Sequence, residues 1–171
     1  TQLSTTDFLQ ECPRRLQEIV TDHMIADRPL GLFLSGGLDS NLCLHHMSTV
    51  SDQPVRTFSV RFAVAADQDA KFNHDAQLAK EMAQHYGADH QEVVIGATDF
   101  RNAYAQTAFA LDLPNANPTA VSQYLLSCHA KQSVDVALTG IGGDEVFGGY
   151  PRYRIMHVLH LLRWLPTPLR R

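Results

Sequence analysis

The chain has 171 residues, a formal net charge of −4 and 44% hydrophobic residues. That length suits one domain with a sizeable core, and the acidic balance argues against general nucleic-acid binding. No apolar run approaches membrane-spanning length and no signal peptide is evident, so a cytoplasmic protein without a membrane partner is expected. Cys12, Cys43 and Cys128 are odd in number and lack CxxC spacing, which fits scattered thiols in a reducing compartment. The first residue is Thr1 rather than Met, which reads as an excision boundary. An N-terminal threonine can be a nucleophile, but no partner base is evident.

Thr5 to Ala26 places Phe8, Leu9, Cys12, Leu16, Ile19, Val20 and Met24 near helical spacing. Pro13 within it implies either a kink or a second helix with Pro13 in its first turn. Leu32-Phe33-Leu34 is a short apolar run, as expected of a strand covered on both faces. Ser35-Gly36-Gly37 turns the chain, and Asp39 and Ser40 open a helix that should end between Thr49 and Asp52. Val55 to Phe62 is β-branched and aromatic enough for a second strand. Ala63 to Asn73 reads as a loop. Asp75 to Tyr86 then places Ala76, Ala79, Met82, Ala83 and Tyr86 on one helical face, with Gly87 as a C-terminal cap.

His90 to Ile95 is the third expected strand. Thr98 is expected to cap a helix carrying Phe100, Ala103, Tyr104, Thr107, Ala108 and Leu111. Pro114 to Pro118 is a loop, in which Asn117 suits an N-cap and Pro118 the first helical position. The following helix is expected to bury Val121, Tyr124, Leu125 and Cys128. Val134 to Leu138 is the fourth strand. A last helix from Tyr150 carries Ile155, Met156, Val158, Leu159, Leu161, Leu162 and Trp164. It is apolar nearly all round and expects a covering partner. Strands alternating with helices imply an α/β fold, a doubly wound parallel sheet with helices on both faces and right-handed crossovers. Ligands of such sheets bind beyond the strand C-termini, where strand order reverses.

Two glycine-rich loops follow strands. In the first, SGGLDS, adjacent glycines let an oxygen-rich ligand approach the main chain, and the helix start favours a phosphate. Asp39 would repel that phosphate unless a divalent cation lay between them, so Asp39 beside the cradle implies Mg²⁺. Read alone, a Gly-Gly turn is better taken as a tight strand-to-helix turn with a capping Asp-Ser pair, and the complete SGGLDS string is what makes the loop specific. The string is not a P-loop, because no lysine follows the glycines. The second loop, Thr139 to Tyr150, holds Gly140, Gly142, Gly143, Gly148 and Gly149 around Asp144 and Glu145. With Asp39 these acids make a plausible carboxylate cluster, while the alternative is a glycine loop with solvated acids.

SGGLDS after an apolar strand resembles the pyrophosphate-binding loop of the N-type ATP pyrophosphatases. That family cleaves ATP between its α- and β-phosphates and adenylates a carboxylate or carbonyl oxygen. TGIGGDEVFGGYPRY is similar to a second motif of the asparagine synthase type, and TFSVRF, HYGADH and LDLPNANPTAVSQYLLS match in order and spacing. The resemblance implies ATP and Mg²⁺ as cofactors. It implies that Ser35, Gly36, Gly37, Asp39 and Ser40 hold the pyrophosphate and that Leu34, Val60 and Gly140 border the adenosine. It implies Asp39 and Asp144 as metal ligands, with Thr139 beside them in the catalytic set. It also implies a ligase of amidotransferase type with a small carboxylate acceptor, using ammonia from a glutaminase domain that this chain lacks, and it leaves room for a homodimer. The chain is thus expected to be a single synthetase domain, truncated at its C-terminus.

The chain departs from the family pattern at named positions. Ile141 stands where the family commonly has glutamate, and Thr139 replaces serine with its hydroxyl kept. A glutamate common in the third helix is replaced around His74-Asp75, and no arginine lies near Pro118. Lys71, Lys80 and Lys131 do not match the family's catalytic lysine, which is expected beyond Arg171. An acceptor other than aspartate is therefore expected. The alternatives are a nucleotide-binding module without turnover and a tRNA-modifying relative, against which the acidic balance speaks. His157 and His160 lie one helical turn apart but have no evident third ligand. Arg152, Arg154, Arg163, Arg170 and Arg171 make a basic end, of which Arg152, following the second loop, is the one placed to approach a phosphate.

Overall fold

A computed structural model describes residues 4–113 and 117–162. The chain falls into two compact units, one running to Gly140 and the other beginning at Ile141. Expectations for Thr1, for Pro114 to Ala116 and for Arg163, Trp164, Arg170 and Arg171 lie outside the described residues. Among the described residues no helix is long and apolar enough to cross a membrane.

The first unit is built on β1 (Leu30–Phe33), β2 (Arg56–Phe62), β3 (Asp89–Ile95) and β4 (Val136–Thr139), paired in the order β3-β2-β1-β4. Every pairing is parallel, with Phe33 opposite Phe58 on one side and Thr139 on the other. Its helices are α1 (Thr5–His23), α2 (Leu38–Val50), α3 (Asp69–Phe72), α4 (His74–His85), α5 (Ala97–Leu111) and α6 (Thr119–Ala130). The period-two alternation of strands separates two cores. Leu32 and Leu34 face Leu44 and Met47 of α2 and Ala79 and Ala83 of α4, with Val20 of α1 on the same face. Phe58 faces Leu126 and Ala130 of α6, with Phe33 and Val60 packed alongside. The sheet is thus covered on both faces, as a doubly wound fold requires. β1 has β2 on one side and β4 on the other, so the strand order reverses between β1 and β4.

Several local expectations are corrected. α1 is one helix through Pro13, which lies on its exposed side, where water can satisfy the carbonyl that proline leaves unpaired. Ser4 caps it, its hydroxyl accepting the Asp7 N–H at 3.2 Å. Thr98 is not a cap. α5 starts earlier, with Gly96 as N-cap and its N–H donating to the Asp99 carboxylate at 2.9 Å. α6 starts at Thr119 with Pro118 as its N-cap, one residue later than expected, and the Asn117 side chain accepts the Thr119 N–H at 3.0 Å from just before it. The buried residues of α6 are Val121, Leu126 and Ala130, whereas Tyr124 and Leu125 are half-buried and Cys128 is exposed. The turn of that stripe has a cause: α6 packs on β2, β3 and α5 at once. In the stretch expected as a plain loop, α3 forms a single turn. Gly87, with φ +63°, follows α4 as expected.

The second unit contains α7 (Gly143–Phe147) and α8 (Pro151–Leu162). Gly142 at φ +106° and Gly148 at φ +70° bound α7, a left-handed conformation that favours glycine on both sides of a helix too short to stand alone. In α8, Ile155, Met156, Val158 and Leu159 are all exposed, in line with the all-round apolar pattern of the sequence. The side chains of Leu161 and Leu162 are outside the description.

Candidate functional site

The loop between β1 and α2 lies at the C-terminal end of β1, on the switch point. Leu34 continues the strand, its N–H donating to the Phe58 carbonyl at 2.8 Å. The chain then turns at Gly36, whose φ of +78° few other residues tolerate. A Cβ on Gly36 would stand 2.3 Å from the Asp75 carbonyl oxygen and 3.1 Å from the Ala79 nitrogen. The loop therefore rests on the first turns of α4 with no room for a side chain. On its other side lies the end of β4. A Cβ on Gly140 would stand 2.6 Å from Ser40 N and 2.9 Å from the Asp39 carbonyl carbon. Two glycines far apart in sequence thus press main chain against both sides of one loop.

Side chains knit the loop from within. The Ser40 hydroxyl accepts the Ser35 N–H at 3.2 Å, lies 3.0 Å from the Ser35 hydroxyl and donates to the Gly37 carbonyl at 3.1 Å. The Gly37 N–H donates to the Ser35 hydroxyl at 3.3 Å, and the Asn41 amide donates to the Gly36 carbonyl at 3.0 Å. Ser40 is 3% exposed, so its hydroxyl serves the loop itself. Gly37 is the N-cap of α2, and no side chain caps that end. The positive pole of a 13-residue helix is therefore left for an anion, with the half-buried Asp39 in its first turn. One turn on, burial pushes the Cys43 thiol up, and the Asp39 charge adds to this. Cys43 packs against the core cluster, and a thiol raised in this way carries less of the reactive thiolate.

The other expected residues divide by place. Leu34 is 1% exposed within the core, which leaves its main chain as the part a ligand could meet. Val60 is half-buried on the opposite face of the sheet, against the α6 cluster. Thr139 ends β4, exposed, directly opposite Phe33. So Ser35, Gly36, Gly37, Asp39, Ser40, Thr139 and Gly140 gather around the ends of β1 and β4, and Val60 stands one strand away. Asn41, which the sequence reading passed over, belongs with them. Its signal was position: an amide in the first turn of a helix, able to reach back to the loop carbonyls.

Asp144 lies in the second unit, half-buried at the start of α7. The Gly149 N–H donates to the Asp144 carbonyl at 3.1 Å, and a Cβ on Gly149 would stand 1.9 Å from Asp144 Oδ1. The Tyr150 hydroxyl donates to Glu145 Oε1 at 2.5 Å, and the Arg152 guanidinium lies 4.1 Å from the centre of the Tyr150 ring. The Tyr150 bond, aided by Arg152, holds the Glu145 carboxyl below its usual range, and the same bond raises the Tyr150 phenol. Among the described residues no three or more His, Cys, Asp or Glu side chains form a metal cage.

Known proteins carry the same pattern. The family model described as asparagine synthase matches residues 11–171. The chain is 32% identical over 170 residues to asparagine synthetase [glutamine-hydrolyzing] 1 of Bacillus subtilis (strain 168), covering 99% of this chain and 26% of that protein. It is 29% identical over 140 residues to the human asparagine synthetase [glutamine-hydrolyzing], covering 77% of this chain and 24% of the human protein. The chain thus spans about a quarter of the length of these relatives. Among solved structures, it is similar to the NH3-dependent NAD synthetase from Campylobacter jejuni subsp. jejuni NCTC 11168 in complex with the nitrate ion. The TM-score is 0.53 at 13% identity, over 82% of this chain and 60% of that one, a likeness of fold alone. With a family model matching nearly its whole length, the chain belongs to the asparagine synthase family.

Proposed function

We propose that this chain is the nucleotide-binding part of an ATP-dependent, AMP-forming amide synthetase. The observation that supports it most is the loop at Gly36. It is an uncapped helix start at the sheet's switch point, with glycine backbone closing in from β4 and the loop's hydroxyls turned inward. Such a site offers main-chain N–H groups and a helix pole, which suit a phosphate chain better than a neutral ligand.

In this reading Ser35, Gly36, Gly37 and Ser40 shape the cradle for the pyrophosphate, and Leu34, Val60 and Gly140 border the adenosine. Asp39 and Asp144 would hold Mg²⁺, with phosphate oxygens and water completing its shell. The cation neutralises charge on the departing pyrophosphate when bound. Thr139 keeps a hydroxyl at the strand end beside the reacting groups. A small carboxylate acceptor attacks the α-phosphorus and pyrophosphate leaves. Ammonia then displaces AMP from the acyl-adenylate to give the amide. The named relatives are glutamine-hydrolysing, so glutamine is the nitrogen source we infer for the whole protein. Catalysis would come from positioning and electrostatics.

The test is ATP–pyrophosphate exchange against a panel of amino-acid carboxylates, using the complete protein. Acceptor-dependent exchange is expected; none with any acceptor, in folded protein that binds ATP, would favour a nucleotide-binding module. A second reading concerns the acceptor. Ile141 is 82% exposed at the start of the second loop, and its side chain is apolar, with no group that could take up or release a proton. An acceptor with an apolar portion, other than aspartate, suits it. A few methylenes against it would contribute about 1–3 kcal/mol. Efficient asparagine formation by the wild-type protein would exclude that reading.

A further inference from the structure

At the C-terminal end of β2, away from the loop's own hydrogen bonds, a polar clasp is built around Asn73. Asn73 is 2% exposed. Its Oδ1 accepts the Phe62 N–H at 2.7 Å, and its Nδ2 donates to the Phe62 carbonyl at 2.9 Å. One side-chain amide thus pairs with both main-chain groups of a strand end, as a neighbouring strand would. The same Nδ2 donates to Asp69 Oδ1 at 2.8 Å, and Arg61 donates to both Asp69 oxygens at 2.8 and 2.9 Å. Both Arg61 bonds leave the one Nη2 nitrogen, so this charge-assisted contact holds the carboxylate mainly by distance. The clasp therefore fixes residue 73 relative to β2 through Asn73 directly and through the Arg61–Asp69 pair.

Asn73 is also the residue from which α4 starts. The next turns of α4 are the surface on which Gly36 rests, where a Cβ would lie 2.3 Å from the Asp75 carbonyl and 3.1 Å from Leu78 Cβ. Packing this close leaves no slack: a small shift of α4 is passed to the loop as overlap or as a gap. Burial of Ala76, Ala79 and Ala83 seats α4 on the sheet but does not fix its slide along its axis. Alanines offer small, similar surfaces, so polar contacts of defined length must do that.

We propose that Asn73, held by Asp69 and Arg61, is a positioning residue that sets the phosphate-binding geometry of the Gly36 loop through the first turns of α4. This rests on the reading that the loop binds the phosphates of ATP, and it adds residues outside the loop to its construction. Asp69 is the place to test it. Asp69 is 44% exposed, so its replacement does not open the core as Asn73→Ala would. In Asp69→Ala the clasp loses the Arg61 contact and one Asn73 bond. In Asp69→Asn an oxygen remains to accept from Asn73.

The experiment measures binding of ATP, inorganic pyrophosphate and adenosine by calorimetry for the wild type, Asp69→Ala and Asp69→Asn. It also records amide hydrogen exchange of each without ligand. Asp69→Ala should weaken ATP and pyrophosphate about three- to tenfold, leave adenosine unchanged, and be partly rescued by Asp69→Asn. Exchange should quicken at Gly36 to Leu38 and in the first turn of α4, with the other strands unaffected. A lowered melting temperature with all three ligands weakened alike, or exchange quickened uniformly or not at all, would overturn the proposal. Should the wild type itself bind neither ATP nor pyrophosphate, the functional reading fails. The exchange pattern then decides the mechanical coupling by itself.

Discussion

The two glycine loops of this chain reach order by different means. In the first, Ser35, Ser40 and Asn41 tie the main chain to itself, and the Ser40 hydroxyl is nearly inaccessible. In the second, two left-handed glycines bracket a five-residue helix, and its ties include the Gly149–Asp144 main-chain bond and an exposed Tyr150–Glu145 bond with Arg152 stacked outside it. The first loop is preorganised by hydrogen bonds that are mostly part-buried around the inaccessible Ser40, where water is slow to replace a lost partner. In the second, the side-chain bond between Tyr150 and Glu145 is one that water can replace. The lesson is that glycine density alone does not measure how firmly a loop is set; what counts is where its polar partners are buried.

The widest gap between the loops should appear on adding a methyl group. Gly36→Ala places a Cβ against main chain, the Asp75 carbonyl, at a φ of +78°. Left-handed strain and overpacking together should cost about 3 kcal/mol in urea unfolding and abolish ATP binding. Gly149→Ala meets the end of a side chain, Asp144 Oδ1, which can rotate aside. It should cost less than about 1 kcal/mol. Equal losses would mean that the second loop is as rigidly built as the first.

Next in size is Ser40→Ala. It removes three contacts and leaves the Ser35 N–H without its acceptor, at about 1–3 kcal/mol. The check is urea unfolding with and without ATP. A change below about 0.5 kcal/mol would show that water fills in, which the 3% exposure of Ser40 argues against.

A third pair asks whether the two loops share a task. Asp39→Asn and Asp144→Asn each keep size and remove a charge. If both hold Mg²⁺ in our reading, each should weaken Mg²⁺-ATP about tenfold and change AMP, which has no pyrophosphate, far less. Loss for Asp39→Asn alone would break the pairing, and equal loss for ATP and AMP would indicate a disturbed loop.

Much of this was legible in the sequence because the signals were local. Alternating strands and helices fixed the sheet class, and SGGLDS after an apolar run located the switch-point loop. What escaped was set by contacts distant in sequence. Nothing near Gly140 says that it must pack on Ser40, and nothing near Asn73 says that it pairs with Phe62. The buried stripe of α6 was misplaced because periodicity gives a face, whereas packing on both sheet and α5 turns it. The Thr98 cap was misplaced because Asp99, one residue on, supplies the stronger acceptor to Gly96.

The smallest effect, and the one that belongs to the second loop alone, is its response to pH. Glu145 is held below its usual value of 4.5, chiefly by the Tyr150 hydroxyl, and Tyr150 is raised above 10.0, chiefly by Glu145. A carboxyl with a lowered folded pKa contributes stability that is present above its unfolded value and lost as pH falls through the folded one. A phenol with a raised pKa works from the other side, contributing below its unfolded value and losing it as pH rises through the folded one. The bond should therefore be intact between those usual values and fail at both extremes. Glu145 is exposed and Tyr150 half-buried, and the bond between them faces water, so the effect on global unfolding should be slight, and salt should weaken the part that Arg152 contributes. In the first loop the bonds of Ser35, Ser40 and Asn41 join hydroxyls and amides, which do not titrate in this range. A carbon-detected NMR titration of Glu145 should show its low midpoint rise in Tyr150→Phe, with the Gly36 and Gly37 amide signals unmoved. An unchanged Glu145 midpoint in that variant would show that the backbone N–H groups of Glu145 and Gly142 and the Arg152 charge, not the Tyr150 hydroxyl, set the carboxyl.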